Sequence, residues 1–473
     1  MIDLIHELWY LKRDLISEDF DRALYRLADE LRAAGLPVTI HEYQTGEACW
    51  TWRIPEKWTC HAAYLETLDG RRLIDYADHP LHVVSYSLPF EGVVNREELL
   101  RHLHVHPRLP QAIPFVFKYY ERDWGLCASQ TLRDSLTDEA YRVVIRTTFE
   151  PGTLKVAEAV VEGQSAASLE QSFVLVAHLC HPAMVNDDLT GVVVGLEVLR
   201  DLANKDKPDR RSEVLFRTEV PFRTLPYYTY RLLILPETIG SVAYLSHHES
   251  LIPDMNGGLF LEMLGNDSPH ALQSSFQPDS QVDRCLSAAF RGLDPHRLYS
   301  TAGYQGPYRT IIDNDERQFN APGVRVPMLS LSRVEAPKST GRPPYPEYHS
   351  SLDTPAIITQ ERLEASRDLI LGLIDAHERN QYIVNNFKGE IFCSGYGIWI
   401  DYRVNPQGHR RLFEIMERCD GEHTVADIAS ALDISFQAVW GIVALLESKG
   451  LVWFSRTPHS TDPKNRIAKA PNP

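Results

Sequence analysis

The chain has 473 residues, 44% hydrophobic and 24% charged, with a net charge of −16. These are the proportions of a globular protein with room for about three domains, and the acidic balance argues against nucleic acid or anionic membranes as general partners, because phosphates demand Lys and Arg. No apolar run approaches the ~20 residues of a membrane span, the opening "MIDLIHELWYLKRDL" has acids inside its apolar pattern and is no signal peptide, and seven scattered cysteines without a Cys-x-x-Cys fit free thiols, so a soluble cytoplasmic protein is expected.

Residues 17–35 carry a helical pattern. Ser17 can cap it, Phe20, Leu24, Leu27, Ala28 and Leu31 share a face, and Gly35 can end it. "PVTIHEY" reads as a strand. From about residue 45 to 165 the texture is β-rich, with "WTWRIPEKWTC", "LHVVSYSLPF" and "YRVVIRTTF" as short strands and "NREELLRHLHVH" as one helix. Strands and helices then alternate: "SFVLVAH" before "LTGVVVGLEVLRDLANK", then "RLLILPE", "GGLFLEMLG", the helix "SQVDRCLSAAFRGL", "VPMLSLSR", and the long helix "TQERLEASRDLILGLIDAHERN". That alternation implies an α/β fold with a largely parallel sheet, whose ligands sit at the carboxyl ends of the strands. From about residue 390, three short helices and a final strand form a winged-helix pattern, with Thr424 and Ser435 as caps and Gly450 as a terminator. The expected domains are 1–44 with 166–389 (α/β), 45–165 (β-rich insert), 390–458 (winged helix) and a disordered tail at 459–473.

Several strand ends carry polar groups suited to a divalent ion. "VLVAH" leads to His178, His181, Asp187 and Asp188, "LLILPE" to Glu237, "LFLEM" to Glu262, and "PEYHSSLDT" offers His349 with Asp353 four residues on. Imidazole and carboxylate together suit Zn²⁺ or a related ion, and a free carboxylate can take a proton from water. Singly each has a plainer explanation. Asp188 or Thr190 can simply cap the next helix, Glu237 can cap a turn, and Glu262 inside an apolar run needs a charge partner that Arg or Lys would also supply.

These segments resemble the co-catalytic zinc aminopeptidases of the M28-like fold. "NDDLTG" is similar to their Asp-Asp-x-Ser-Gly element, "LPETIGSVAYL" to their Glu-bearing strand end, "LFLEMLG" to Leu-Asp-Met-x-Gly, and "YHSSLDT" to their His-x-x-x-Asp-Thr. More closely, the chain to about residue 385 resembles the DUF4910 aminopeptidase-like family, through "CHPAMVNDDLTG", "PETIGSVAYLS", "DERQFNAPG" and "YHSSLDT" in order. The stretch holding "LHVVSYSLPFEG", "IPFVFKYYERDWGLC" and "YRVVI" resembles the DUF2172 domain inserted in that family. The resemblance implies a zinc-aminopeptidase-like mixed sheet with helices on both faces, and one or two Zn²⁺ or other divalent ions.

Carried over by resemblance, Asp187 is the bridging carboxylate, His349 a ligand, and Glu262 stands where an Asp ligand is usual. His178 and His181 compete for the other His position. The aminopeptidases show two adjacent Glu where this chain has Pro236-Glu237, so Glu237 is assigned the base and one role is missing. The usual His-x-Asp reads His178-Leu-Cys180, a poor orienting pair. Asp315, Glu316 and Arg317 in "DNDERQF" are placed to bind an α-amino or carboxylate group of a substrate, though a salt-bridged turn accounts for them equally well. The implied function is a metal-dependent aminopeptidase-like hydrolase cleaving a peptide or amide bond by metal-activated water. The competing function is a degenerate peptidase fold that binds a peptide or carrier protein. "MERCDGEHTVADIASAL" resembles PqqD-like peptide-recognition modules, so a peptide or protein partner is the functional expectation at the winged helix, with a plain structural appendage an equal alternative. The third helix there, with Lys449 as its one cation, argues against DNA readout.

Overall fold

A computed structural model describes residues 1–164, 171–204, 226–293 and 303–461. The chain divides into two compact units. The first holds Met1–Asn204, Tyr228–Phe276 and Gly306–Arg367, and the second contains the helix Gln281–Gly292 and the described residues from Asp368 onward.

The first unit is organised on a mixed sheet. Its strand order is Val38–Gln44, Thr153–Val161, Thr229–Leu235, Ser172–His178, Met255–Glu262, Met328–Arg333, His270–Gln273 and Tyr304–Gly306. The four central strands, Thr229–Leu235 to Met328–Arg333, are mutually parallel, while Thr153–Val161 runs antiparallel to both of its neighbours and His270–Gln273 antiparallel to Met328–Arg333. Every residue of Ser172–His178 is buried, as in parallel strands covered on both faces. The helix Leu189–Ala203 packs on three of these strands. It comes close because residue 191 is Gly: a Cβ there would collide with the Asp188 carboxylate and the Leu261 carbonyl. The parallel strands end on one edge, bringing His178, Glu237 and Glu262 to the same rim.

The helix expected from residue 17 spans Glu18–Ala33, and the Ser17 hydroxyl accepts the Phe20 N–H at 3.1 Å. Gly35 follows with φ +79°, a conformation that costs glycine little. The β-rich stretch forms a four-stranded antiparallel sheet in the order Arg72–Asp75, Lys57–Thr67, Ala140–Glu150 and Phe90–Asn95. Two differences from the sequence reading appear here. The helix expected through His106 ends at His102, because Leu103–Val105 pairs in parallel with Leu126–Ala128 and its backbone is satisfied by that ladder. Thr153–Val161, although inside the 45–165 stretch, pairs with Val38–Gln44 and Thr229–Leu235 in the main sheet.

In the second unit, Asp420–Thr424, Tyr382–Asn385 and Val452–Ser455 make a three-stranded sheet. It is accompanied by the helices Pro406–Met416, Val425–Ala431 and Phe436–Ser448. Thr424 forms a capping box with Asp427, Ser435 caps the third helix, and Gly450 takes φ +70°. Two of the three strands were not anticipated. Of the tail expected at 459–473, residues 462–473 lie outside the described residues, while His459 and Thr461 donate backbone N–H groups to Gly421 and Asp420. No helix among the described residues is long and apolar enough to cross a membrane.

One buried ionic cluster ties the main sheet to its cover. Glu158 lies 2.8 Å from His41 Nε2 and 2.6 Å from Arg231 Nη1, and it accepts the Tyr244 hydroxyl at 2.9 Å. Burial pushes its carboxyl up, but His41, Arg231 and Tyr244 together outweigh burial and hold it down at about 2. A carboxyl depressed on folding adds stability above its unfolded pKa and loses it as the pH falls toward the folded value. Glu158→Gln is therefore expected to cost about 3 kcal/mol near neutral pH. Denaturant unfolding at several pH values should show that difference shrinking steadily from about pH 5 to about pH 3.

Candidate metal centre

His178 is the last residue of its strand, and the loop after it carries His181 and Asp187 before the helix Leu189–Ala203 begins. The loop has little regular structure, so its polar backbone needs partners elsewhere. Arg13, fully buried, supplies one set: its guanidinium donates to the carbonyls of Leu179 (2.9 Å), His181 (2.8 Å) and Met184 (2.9 Å), and to Leu8 and Trp9. Asp353 supplies the other. Its carboxylate accepts the N–H groups of Val185 (3.3 Å), Asn186 (2.8 Å) and Asp187 (3.1 Å), and the Tyr345 hydroxyl (2.8 Å). Asp188 caps the helix, accepting from Gly191 at 3.1 Å and Met263 at 2.9 Å.

Asp187 is the hub of the donor cluster. Its Oδ2 lies 3.0 Å from His349 Nε2, and its Oδ1 lies 3.2 Å from His178 Nε2 and 3.6 Å from His181 Nδ1. Glu262 Oε1 is 3.6 Å from His178 Nε2, and Glu237 Oε2 is 3.4 Å from His181 Nε2. Donors about 2 Å from one tetrahedral ion stand roughly 3.3 Å apart, which is the scale of these contacts. His181, Asp187 and His349 can present ligand atoms mutually within 4.8 Å, as can His178, Asp187 and Glu262, so the two trios share Asp187. His178, Cys180 and His181 form a third such group. His178, His181, Asp187 and Glu262 are buried, whereas 29% of the His349 side chain and 22% of that of Glu237 remain exposed. Both Asp187 oxygens, both His181 ring nitrogens and Glu262 Oε2 are buried without a hydrogen bond of good geometry.

The electrostatics agree with a cation-seeking site. Burial pushes Asp187 up, but His181, His178 and His349 outweigh it and hold the carboxylate well below its usual range. Burial holds His181 well below the ordinary imidazole value, leaving it neutral and able to ligate. His178 is raised despite its burial, because Asp187, Cys180 and Glu262 interact with it. Glu237 is pushed up to about 7 by its surroundings and by the charges of Asp315 and Asp187, with His178 pulling the other way. Several acids thus share one pocket wall with imidazoles, and the orphaned donor atoms fit a divalent ion.

The remaining sequence candidates lie close by but are engaged by the fold. Asp315 is fully buried, and its Oδ1 accepts the Thr238 N–H (2.8 Å) and the Ser241 hydroxyl (2.6 Å) at the start of the helix Ile239–His247, just after Glu237. Arg317 Nε donates to the Asn314 carbonyl at 2.8 Å and sits 3.3 Å from Asp313. Glu316 accepts the Asn314 N–H at 2.9 Å. The structure also brings in Asn314 and Phe115, which the sequence did not single out, and gives Cys180 a partner. Asn314 donates its side-chain amide to Glu262 and lies 3.5 Å from His178 Nε2. Cys180 Sγ accepts the Glu237 N–H at 3.1 Å. Phe115 sets its ring edge against His181 and His349, with centroids 4.9 and 5.5 Å away. Asn314 is adjacent to the acids already noted, which was its one signal; the apolar run around Phe115 carried none.

Residues 2–380 match DUF4910, described as a domain of unknown function. A Clostridium acetobutylicum protein, provisionally named a polysaccharide biosynthesis protein with aminopeptidase-like domain, is 27% identical over 444 residues, 92% of each chain. The crystal structure of a provisionally named peptidase from Clostridium acetobutylicum aligns with a TM-score of 0.78 at 25% identity, over 96% of each chain. The zinc aminopeptidase BSAP from Bacillus subtilis, 13% identical, aligns with a TM-score of 0.55 over 79% of this chain and 93% of its own, a likeness of fold. The mixed sheet is that of the zinc aminopeptidases, and the chain belongs to the DUF4910 family.

Proposed function

We propose that the protein is a metal-dependent aminopeptidase-like hydrolase acting on a peptide or amide bond. The observation that carries this reading is the convergence of three imidazoles on the single buried carboxylate Asp187, from segments as far apart as His178 and His349. His181, Asp187 and His349 would hold one Zn²⁺ or related ion, and His178, Asp187 and Glu262 a second. When bound, such an ion polarises a carbonyl and makes water a better nucleophile. Glu237 would take the proton from that water and return it to the leaving amine, its partial exposure giving solvent a path to it. Asp315 would act through Glu237 by fixing the helix that follows it, and Arg317 could meet a substrate carboxylate at the same edge.

Two features favour the second reading, a degenerate fold that only binds a peptide or carrier protein. Pro236 stands where an adjacent acid would complete the pair, and Cys180 gives His178 a thiol in place of an orienting carboxylate. The last three capped helices of the second unit, with its small antiparallel sheet, suit a winged-helix module for a peptide or protein partner, and the four-stranded sheet of the first unit suits an inserted DUF2172-like domain. The seven cysteines are free thiols, which fits the reducing cytoplasm.

Elemental analysis of the purified chain separates the readings. One or two zinc equivalents are expected, falling sharply in Asp187→Asn and His349→Ala; a wild type free of divalent metal overturns the hydrolase. Glu237→Gln should keep the metal while turnover of amino-acid p-nitroanilides drops by roughly 10²–10⁴-fold. Asp353→Asn keeps the side-chain shape but weakens the hold on three amides, so a loss of about 2 kcal/mol in thermal unfolding and weaker zinc retention against a chelator are expected.

A further inference from the structure

Away from the donor cluster, a cavity of about 200 Å³ is lined by Arg108, Leu109, Glu335, Ala336, Arg342, Pro343 and Pro346. Its floor is apolar and its two guanidinium groups are exposed. In a chain with 64 acidic and 48 basic residues, arginines usually find carboxylates. Among the described residues neither Arg108 nor Arg342 makes a side-chain hydrogen bond or ion pair; only their backbone N–H groups are engaged. Two unpaired guanidiniums at one cavity favour an incoming anion, because Arg binds carboxylate through paired N–H donors.

The cavity is built into the same seam as His349. The His106 ring accepts the N–H groups of Arg108 (3.2 Å) and Leu109 (3.0 Å) and hydrogen-bonds to the Tyr348 backbone. Tyr348 stacks on His349, with ring centroids 3.9 Å apart. On the other wall, the Glu335 N–H donates to the Pro344 carbonyl at 2.6 Å, and Tyr345 bonds to Asp353. The lining charges are two guanidiniums and one carboxylate, Glu335, a balance that suits a monoanion better than a phosphate dianion.

We propose that the Arg108–Arg342 cavity is a substrate subsite that binds a carboxylate group, set apart from the donor cluster and joined to His349 through His106 and Tyr348. That the ligand is substrate rests on the hydrolase reading; the anion site itself does not.

The test is calorimetric titration of the full chain with N-acetylglycine, with neutral N-acetylglycinamide and with inorganic phosphate, each before and after removal of divalent ions by a chelator. The acid should bind at least about tenfold more tightly than the amide, with or without metal. The preference should vanish in the Arg108→Gln, Arg342→Gln double variant. Both side chains are exposed, so that variant should keep the wild-type melting curve and metal content. The proposal is overturned if acid and amide bind alike or not at all, if chelation removes the preference, if the double variant keeps it, or if phosphate binds more tightly than the acid. Failure of the hydrolase reading would show separately, as absent turnover with these affinities unchanged.

Discussion

Three consecutive amides, of Val185, Asn186 and Asp187, point at the one buried carboxylate of Asp353. The site depends on that clamp. A loop between a strand and a helix has no ladder to satisfy its backbone, and a buried amide left unpaired is costly. Asp353 absorbs the donors and Arg13 absorbs the carbonyls on the other side, so the loop is fixed by an accepting carboxyl and a donating guanidinium in the interior. Asp187 is thereby aimed between His178 and His349 before any ion arrives. The rigidity belongs to the backbone, and the candidate ligands inherit it.

The same region shows several ways of burying an acid. Asp188 caps a helix N-terminus, and burial holds its carboxyl well above the usual range. Asp315 accepts from the start of the helix after Glu237, and burial raises its carboxyl too. Glu316 is pushed up to about 8 by burial and by Glu262, so it is neutral at physiological pH and can serve as a hydrogen-bonding wedge. Asp187 remains ionised because imidazoles surround it. One sheet edge therefore holds carboxyls of opposite protonation within a few side chains, a separation by environment that hydrolytic chemistry requires.

Much of this was legible in the sequence, and the reasons are local. His178, Glu237 and Glu262 each follow an apolar run, so the strand period places them at one edge. Thr424, Ser435 and Gly450 announce helix ends through their own chemistry. What escaped notice depends on distant partners. Arg13 looks like any surface arginine until its carbonyl partners, more than 160 residues away, are seen. Thr153–Val161 is a β-run inside a β-rich stretch, and no local feature says which sheet it joins. Asp315 and Arg317 read as candidate substrate contacts because they are charged and near a rim; nothing local foretold their bonds to Thr238 N–H, the Ser241 hydroxyl and the Asn314 carbonyl.

The β-rich stretch also reaches the donor cluster directly. Ile113 and Ser351 exchange hydrogen bonds, Phe115 N–H donates to the His349 carbonyl at 2.9 Å, and Pro114 bridges Ser350. This stretch is thus stitched to the loop that carries His349. Trimming the chain to its α/β core would unseat His349 and expose the imidazole faces that Phe115 covers. The β-rich stretch and the candidate metal centre are therefore mechanically one part, and a shift in either is carried to the other through these bonds.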